Sequence, residues 1–216
     1  MDIQIKVCGI TRESDLRALS LSGADYAGLI FHEPSPRYAG SRLSGRSARE
    51  MKGALRTVGV FVNAGKEKIL SVVDRYGLDL VQLHGEESPA FCEMIRRSVA
   101  VIKAIPVSSE TDLTAATDPF RDCCDFLLFD AKGPAPGGNG ILFNWEKLSD
   151  YRADIPFFLS GGIGSPEIGP LKTFRHPGWR VVDVNSRMES SPGVKSIDLV
   201  LEFVNALKGN EKPKEV

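Results

Sequence analysis

Ile3-Gln4-Ile5-Lys6-Val7-Cys8, halted by Gly9-Ile10-Thr11, sets the reading of the whole chain. A short, largely apolar run stops at a glycine, and Thr11 opens an amphipathic stretch that runs to Ser22 and closes at Gly23. Thr11 reads as the N-cap of a helix. Gly23 reads as the residue just past its end, where a left-handed backbone suits glycine. The same unit recurs along the chain. Further apolar runs stand at Tyr26–Phe31, Thr57–Val62, Leu78–Leu83, Ala100–Ile105, Phe126–Asp130, Pro156–Leu159 and Val181–Val184. Several are apolar on both faces, which marks parallel strands covered by helices. Helical stretches lie between them at Ser44–Leu55, Ala64–Tyr76, Ser88–Ser98, Ser108–Thr117, Ser165–Lys172 and Ser196–Leu207, with a fainter one near Phe143–Tyr151.

Strands alternating with helices through 216 residues predict an α/β fold, a (β/α)8 barrel of the TIM type. An open doubly wound sheet uses the same alternation. The barrel is favoured because no GxGxxG turn follows the first strand and because polar and glycine residues gather after nearly every strand. In barrels that end of the strands carries the active site. No linker or shift in composition divides the chain. The expectation is one catalytic domain over residues 1–208 and a charged, fraying tail over 209–216.

The composition is that of a soluble globular protein, 42% hydrophobic and 25% charged. With 27 basic against 28 acidic residues and no like-charged block, nothing suggests nucleic acid or a membrane surface as partner. The N-terminus lacks a basic segment followed by an apolar one, and no apolar run reaches the roughly 20 residues of a membrane span. The cysteines Cys8, Cys92, Cys123 and Cys124 form no CxxC pair. Reduced thiols in the cytoplasm are the expectation.

The strand exits hold the chemistry. The first ends at Cys8, and the second leads into His32-Glu33-Pro34-Ser35-Pro36-Arg37-Tyr38. The fourth ends Gln82-Leu83-His84-Gly85, the sixth Phe129-Asp130-Ala131, the seventh Ser160-Gly161-Gly162-Ile163 and the eighth Asp183-Val184-Asn185-Ser186. Closing the barrel gathers a thiol, two carboxylates, an arginine and a histidine at one mouth. Glycine turns after strands seven and eight are a common place for a phosphate, held by backbone N–H groups. The residues alone predict an enzyme for a small phosphorylated substrate, with a thiol and a carboxylate as its proton-transfer pair. Each also has a plainer reading. Cys8 also reads as a small core hydrophobe, Asp130 as a turn or cap residue, Arg37 as a solvated charge and His84 as a satisfied polar group. Lys6, His32, His176 and the other cysteines are read as structural or without a role.

The segments Lys6-Val7-Cys8-Gly9-Ile10-Thr11, Ser35-Pro36-Arg37-Tyr38, Val58-Gly59-Val60-Phe61-Val62-Asn63 and Gln82-Leu83-His84-Gly85 together resemble phosphoribosylanthranilate isomerases. So do Leu128-Phe129-Asp130, Gly138-Asn139-Gly140 with Phe143 and Trp145, Leu159-Ser160-Gly161-Gly162-Ile163, and Asp183-Val184-Asn185-Ser186 with Glu189. All stand in the family's order. The resemblance implies an Amadori rearrangement in tryptophan biosynthesis, without metal or cofactor, by a monomer or homodimer. It implies Asp130 as general acid, Cys8 as general base and Arg37 as the partner of the anthranilate carboxylate. Gly161, Gly162, Asn185 and Ser186 would hold the phosphate, with His84 and Asp183 as supporting contacts. Two positions depart from the family. Arg187 stands where glycine is usual, a poor fit if the turn needs positive φ, and Asn144 stands where aspartate is common. The Gly133–Gly140 stretch is the expected lid. Competing readings are another phosphate-binding barrel such as indole-glycerol-phosphate synthase, which would want lysines at strand ends, and a catalytically silent binding module.

Overall fold

Eight parallel strands close on themselves in the computed structural model, which describes residues 3–133, 142–152 and 155–209. They are β1 Gln4–Val7, β2 Tyr26–Ile30, β3 Arg56–Phe61, β4 Leu80–Leu83, β5 Ala100–Val107, β6 Phe126–Ala131, β7 Phe157–Leu159 and β8 Trp179–Val184. Neighbours pair in chain order, and β8 returns to β1 with Lys6 opposite Asp183 and Val7 opposite Val184. Most of the expected lid, the Gly138-Asn139-Gly140 motif and residues 210–216 of the tail lie outside the described residues.

The period of two sorts each strand into an inner and an outer face. Tyr26, Val58, Leu80, Ile102, Leu128, Phe158 and Val181 fill the interior. Phe158 meets Tyr26 and Phe126 edge-on, each with ring centroids 5.4 Å apart, and the Arg56 guanidinium caps Tyr26 at 4.0 Å. The outward set, Ile5, Val7, Ala27, Leu29, Val81 and Leu83 among them, packs under helix residues such as Leu16, Leu19, Ile69 and Ile95. Both faces of the sheet are therefore covered, which explains why the runs do not alternate apolar with polar.

A repeated bond pair closes the N-terminal end. Asp25, Asp79 and Asp125 each stand just before an even-numbered strand. Their backbone N–H groups donate to Ile5 O, Thr57 O and Val101 O at 2.9, 3.0 and 2.9 Å. Their carboxylates accept from Ile5 N, Thr57 N and Val101 N at 2.8, 2.7 and 2.8 Å. Each aspartate thus completes the ladder by pairing the N–H of the second residue of the preceding strand.

The helices are α1 Glu13–Ser20, α2 Gly45–Glu50, α3 Lys66–Tyr76, α4 Pro89–Arg96, α5 Leu113–Thr117, α6 Ile168–Thr173 and α7 Ile197–Lys208. Several are shorter than their sequence pattern. Thr11 is not the N-cap of α1: its hydroxyl donates to Gly193 O at 2.6 Å, a tertiary bond that takes it from the helix. α2 stops early because Gly53 bends the chain at φ +91. α5 begins only where Asp112 caps it, since Ser108 to Thr111 is tied into a turn. The faint sixth segment is a 3-10 stretch, Trp145–Asp150, and 3-10 backbone also forms Ser165–Glu167. A hairpin absent from the sequence reading follows β8, with β9 Glu189–Ser191 and β10 Val194–Lys195. No helix among the described residues is long and apolar enough to cross a membrane.

Candidate active site

The cleft at the C-terminal ends of the strands is lined by Cys8, Arg37, His84, Asp130, Asp183 and Asn185. Those six come together as the sequence predicts. Gly161, Gly162 and Ser186 follow directly on the lining residues Ser160 and Asn185 and stand at the rim. Gly161 and Gly162 both take positive φ, +95 and +62. A Cβ on Gly161 would also lie 2.9 Å from Ala131 N and 3.3 Å from Asp130 Oδ1, so the turn passes close to Asp130 because glycine occupies it.

Cys8 continues the inward face of β1, two residues after Lys6. It is buried, and its backbone N–H donates to Val184 O at 2.8 Å. The space for its side chain is made on the next strand. A Cβ on Gly28 would lie 2.7 Å from Cys8 Sγ and 2.9 Å from its Cα. Burial pushes the thiol above its ordinary value, opposed by the Lys6 and Lys195 ammonium groups.

Lys6, expected to be structural, is tied into the cleft by Asp183 and Gln82. Its side chain is wholly buried inside the barrel, since Lys6 and Cys8 share the inward face. Its ammonium donates to Asp183 Oδ1 at 3.0 Å and Gln82 Oε1 at 2.8 Å. Burial works against its charge, but Asp183 and Cys8 more than offset this and hold its pKa above the usual range. Asp183 accepts from Ser160 Oγ at 3.3 Å as well as from Lys6, so its carboxylate is committed to the cleft floor.

Asp130 ends the inward face of β6. Its Oδ1 accepts from Ala131 N at 3.0 Å, and its Oδ2 lies 3.4 Å from His84 Nε2. His84 Nδ1 is 2.7 Å from Gln82 Nε2.

Arg37 reaches the cleft from the loop after β2. Its Nε and Nη2 grip Glu189 at 2.8 to 3.0 Å, leaving the Nη1 edge uncommitted to that carboxylate. Glu189 in turn accepts from Lys195 Nζ at 2.7 Å. Burial disfavours its charge, but Arg37 and Lys195 outweigh that and leave the carboxyl below its usual range. Lys195 also donates to Asn185 Oδ1 at 2.9 Å, which turns the Asn185 NH2 group away as a free donor face.

The two departures cause no strain. Among the described residues Asn63 is the one non-glycine with positive φ, so Arg187 occupies a 3-10 turn that tolerates it. Asn144 Oδ1 accepts from Glu146 N at 3.0 Å, the capping task an aspartate would perform. Outside the cleft, burial pushes Cys92 and Cys124 up to about 12, which keeps these thiols protonated at neutral pH. No metal-ligating cluster occurs among the described residues.

Lys6, Gln82, Ser160 and Lys195 join the cleft without having been expected there, and His32, expected to have no role, lines it with Ser35. Lys6 and Gln82 were visible in principle. Each stands two residues before a residue already assigned to the mouth, and therefore on the same face.

A family model described as N-(5'phosphoribosyl)anthranilate (PRA) isomerase matches residues 5–206. The N-(5'-phosphoribosyl)anthranilate isomerase of Phocaeicola vulgatus is 37% identical over 205 residues, covering 94% of this chain and 97% of that one. That of Rhodospirillum centenum is 38% identical over 211 residues, with 94% and 97% covered. The crystal structure of the Thermotoga maritima enzyme superposes with a TM-score of 0.83 at 36% identity, covering 96% of this chain and 99% of that one. A phosphoribosyl anthranilate isomerase crystallised with reduced 1-(o-carboxyphenylamino)-1-deoxyribulose 5-phosphate gives 0.80 at 33% identity, over 96% and 99% of the two chains. With the match running from the first strand into the last helix, the chain belongs to the N-(5'-phosphoribosyl)anthranilate isomerase family.

Proposed function

We propose that the chain converts N-(5-phosphoribosyl)anthranilate into 1-(2-carboxyphenylamino)-1-deoxyribulose 5-phosphate, an isomerisation in tryptophan biosynthesis. The carrying observation is that Cys8 and Asp130 face one cleft beside Arg37, in a chain of this family. The reaction is an internal oxidation–reduction achieved by moving protons. It needs an acid at the ribose ring oxygen and a base at C2.

Asp130 gives its proton to the ring oxygen, and the C1–O bond breaks to leave a Schiff base. The iminium acidifies the C2 proton, which Cys8 takes as thiolate. The resulting enolamine tautomerises to the ketone. Few Cys8 thiols are ionised at neutral pH, but a thiolate with a raised pKa is a stronger base, and Lys6 and Lys195 hold its charge.

Arg37 offers its Nη1 edge to the anthranilate carboxylate while Glu189 fixes the opposite edge. Gly161, Gly162, Asn185 and Ser186 bind the phosphate at the rim. The Asn185 NH2 group, freed by the bond from Lys195 to its oxygen, supplies a donor there. His84 supports Asp130, and Asp183 holds Lys6 in place. Residues 1–208 act as one catalytic domain in this reading.

The test generates phosphoribosylanthranilate in situ and follows the fall of its fluorescence when protein is added. A protein-dependent rate well above the spontaneous decay supports the reading, and no acceleration overturns it.

A further inference from the structure

We infer that Gln82, oriented by Lys6, locks His84 as the neutral Nε2–H tautomer and so sets a fixed, uncharged N–H facing Asp130. The catalytic consequence rests on the reading of Asp130 as general acid, but the tautomer does not.

A lysine ammonium carries three protons and no lone pair. The group 2.8 Å from Lys6 Nζ must therefore be the Gln82 amide oxygen. That assigns the other end of the amide as NH2, and this end lies 2.7 Å from His84 Nδ1. An NH2 group only donates, so Nδ1 must carry a lone pair. The ring proton then sits on Nε2, the nitrogen 3.4 Å from Asp130 Oδ2. Protonating Nδ1 would set two donors against each other at hydrogen-bonding distance. The amide cannot turn to relieve this without placing its NH2 against the Lys6 ammonium. Lys6 and Gln82 are 0% and 1% exposed, so water does not substitute for either partner. Lys6 itself is pinned by Asp183 on the adjacent strand.

The lock matters for the acid. A histidine cation beside Asp130 would pull the carboxyl toward permanent ionisation and would compete with it as proton donor. A neutral Nε2–H orients the carboxyl without adding a full charge. Gln82 is accordingly a positioning residue, acting on Asp130 through His84. The same lysine that neighbours the Cys8 thiol also sets, two bonds away, the state of the histidine beside the acid. The other charged or titratable groups lining the cleft are Cys8, His32, Arg37, which is held by Glu189, and Asp183, which enters the chain of donors by pinning Lys6.

The experiment records long-range proton–nitrogen correlations of the imidazoles in the 15N-labelled protein. His84 is assigned by the signals absent from His84→Asn. The expected pattern at neutral pH is an unprotonated Nδ1 and a protonated Nε2. An Nδ1–H tautomer, or a ring protonated on both nitrogens at neutral pH, overturns the inference. Gln82→Glu supplies the second arm, since a carboxylate accepts from both Lys6 and His84. It should shift His84 to Nδ1–H or imidazolium and lower kcat about tenfold or more, with KM changed less than about threefold. A shifted tautomer with unchanged kcat overturns the positioning role and leaves the isomerase reading intact. A wild-type protein without turnover overturns that reading, while the nitrogen spectrum still decides the tautomer.

Discussion

Glu189 holds Arg37 by its Nε–Nη2 edge at 2.8 to 3.0 Å, across the gap between the hairpin after β8 and the loop after β2. The guanidinium is therefore aimed before substrate arrives. Glu189→Gln keeps the shape but surrenders two charge-assisted bonds. The account predicts a KM rise of about tenfold with kcat within a few fold, measured in steady-state assays. The same carboxylate links stability to pH. Its folded pKa lies below the unfolded one, so its contribution is present at neutral pH and fades as pH falls through the folded value. Wild type should exceed Glu189→Gln in urea stability at pH 7, and the gap should narrow in acid.

Gly28 gives Cys8 its room. Gly28→Ala sets a methyl group 2.7 Å from Sγ and 2.9 Å from Cα, which the backbone of β1 cannot easily yield. Stability should fall by about 1 to 3 kcal/mol in denaturant unfolding. The folded variant should lose kcat as the thiol is displaced. Full turnover would mean the thiol's position does not matter.

The aspartates at the opposite end offer a control that separates fold from chemistry. Asp79 accepts from Thr57 N at 2.7 Å and Thr57 Oγ1 at 3.1 Å, far from the cleft. Asp79→Ala leaves Thr57 N unpaired and should cost about 1 to 3 kcal/mol. Asp79→Asn keeps an accepting oxygen and should cost less. Both should retain kcat while folded, as read by calorimetry and activity on the same samples.

The strand order and the mouth were legible in the sequence because burial and chemistry both follow the period of the strand. Cys8, His84, Asp130, Asp183 and Asn185 each end an inward face, and exit position alone locates them. The partners were less visible, because they depend on which strands meet. Lys6 reads as an odd charge in an apolar strand until β8 closes beside β1 and sets Asp183 opposite it. Lys195 lies on a two-residue strand that no pattern announces, yet it touches Asn185 and Glu189. Helix lengths were overread where a side chain found a tertiary partner, as Thr11 does at Gly193. The repeat of Asp25, Asp79 and Asp125 before alternate strands was in plain view, but its meaning needs the neighbouring strand.

The pH dependence of the thiol follows from its burial. Cys8 is raised in the free protein, with Lys6 and Lys195 opposing the rise. Alkylation of Cys8 by iodoacetamide should therefore be slow at neutral pH and should climb with pH past the ordinary thiol value. Lys195→Met removes a cation that favours the thiolate and should push the climb further toward alkali. An alkylation rate already level below neutrality would contradict this.

The most direct test is the steady-state turnover of phosphoribosylanthranilate by Cys8→Ser beside the wild type. A hydroxyl fills the same place but is far less acidic than a thiol. The account predicts a kcat loss on the order of 100-fold to 10,000-fold with KM within a few fold. A Cys8→Ser protein that folds and keeps kcat within a few fold of wild type would contradict it.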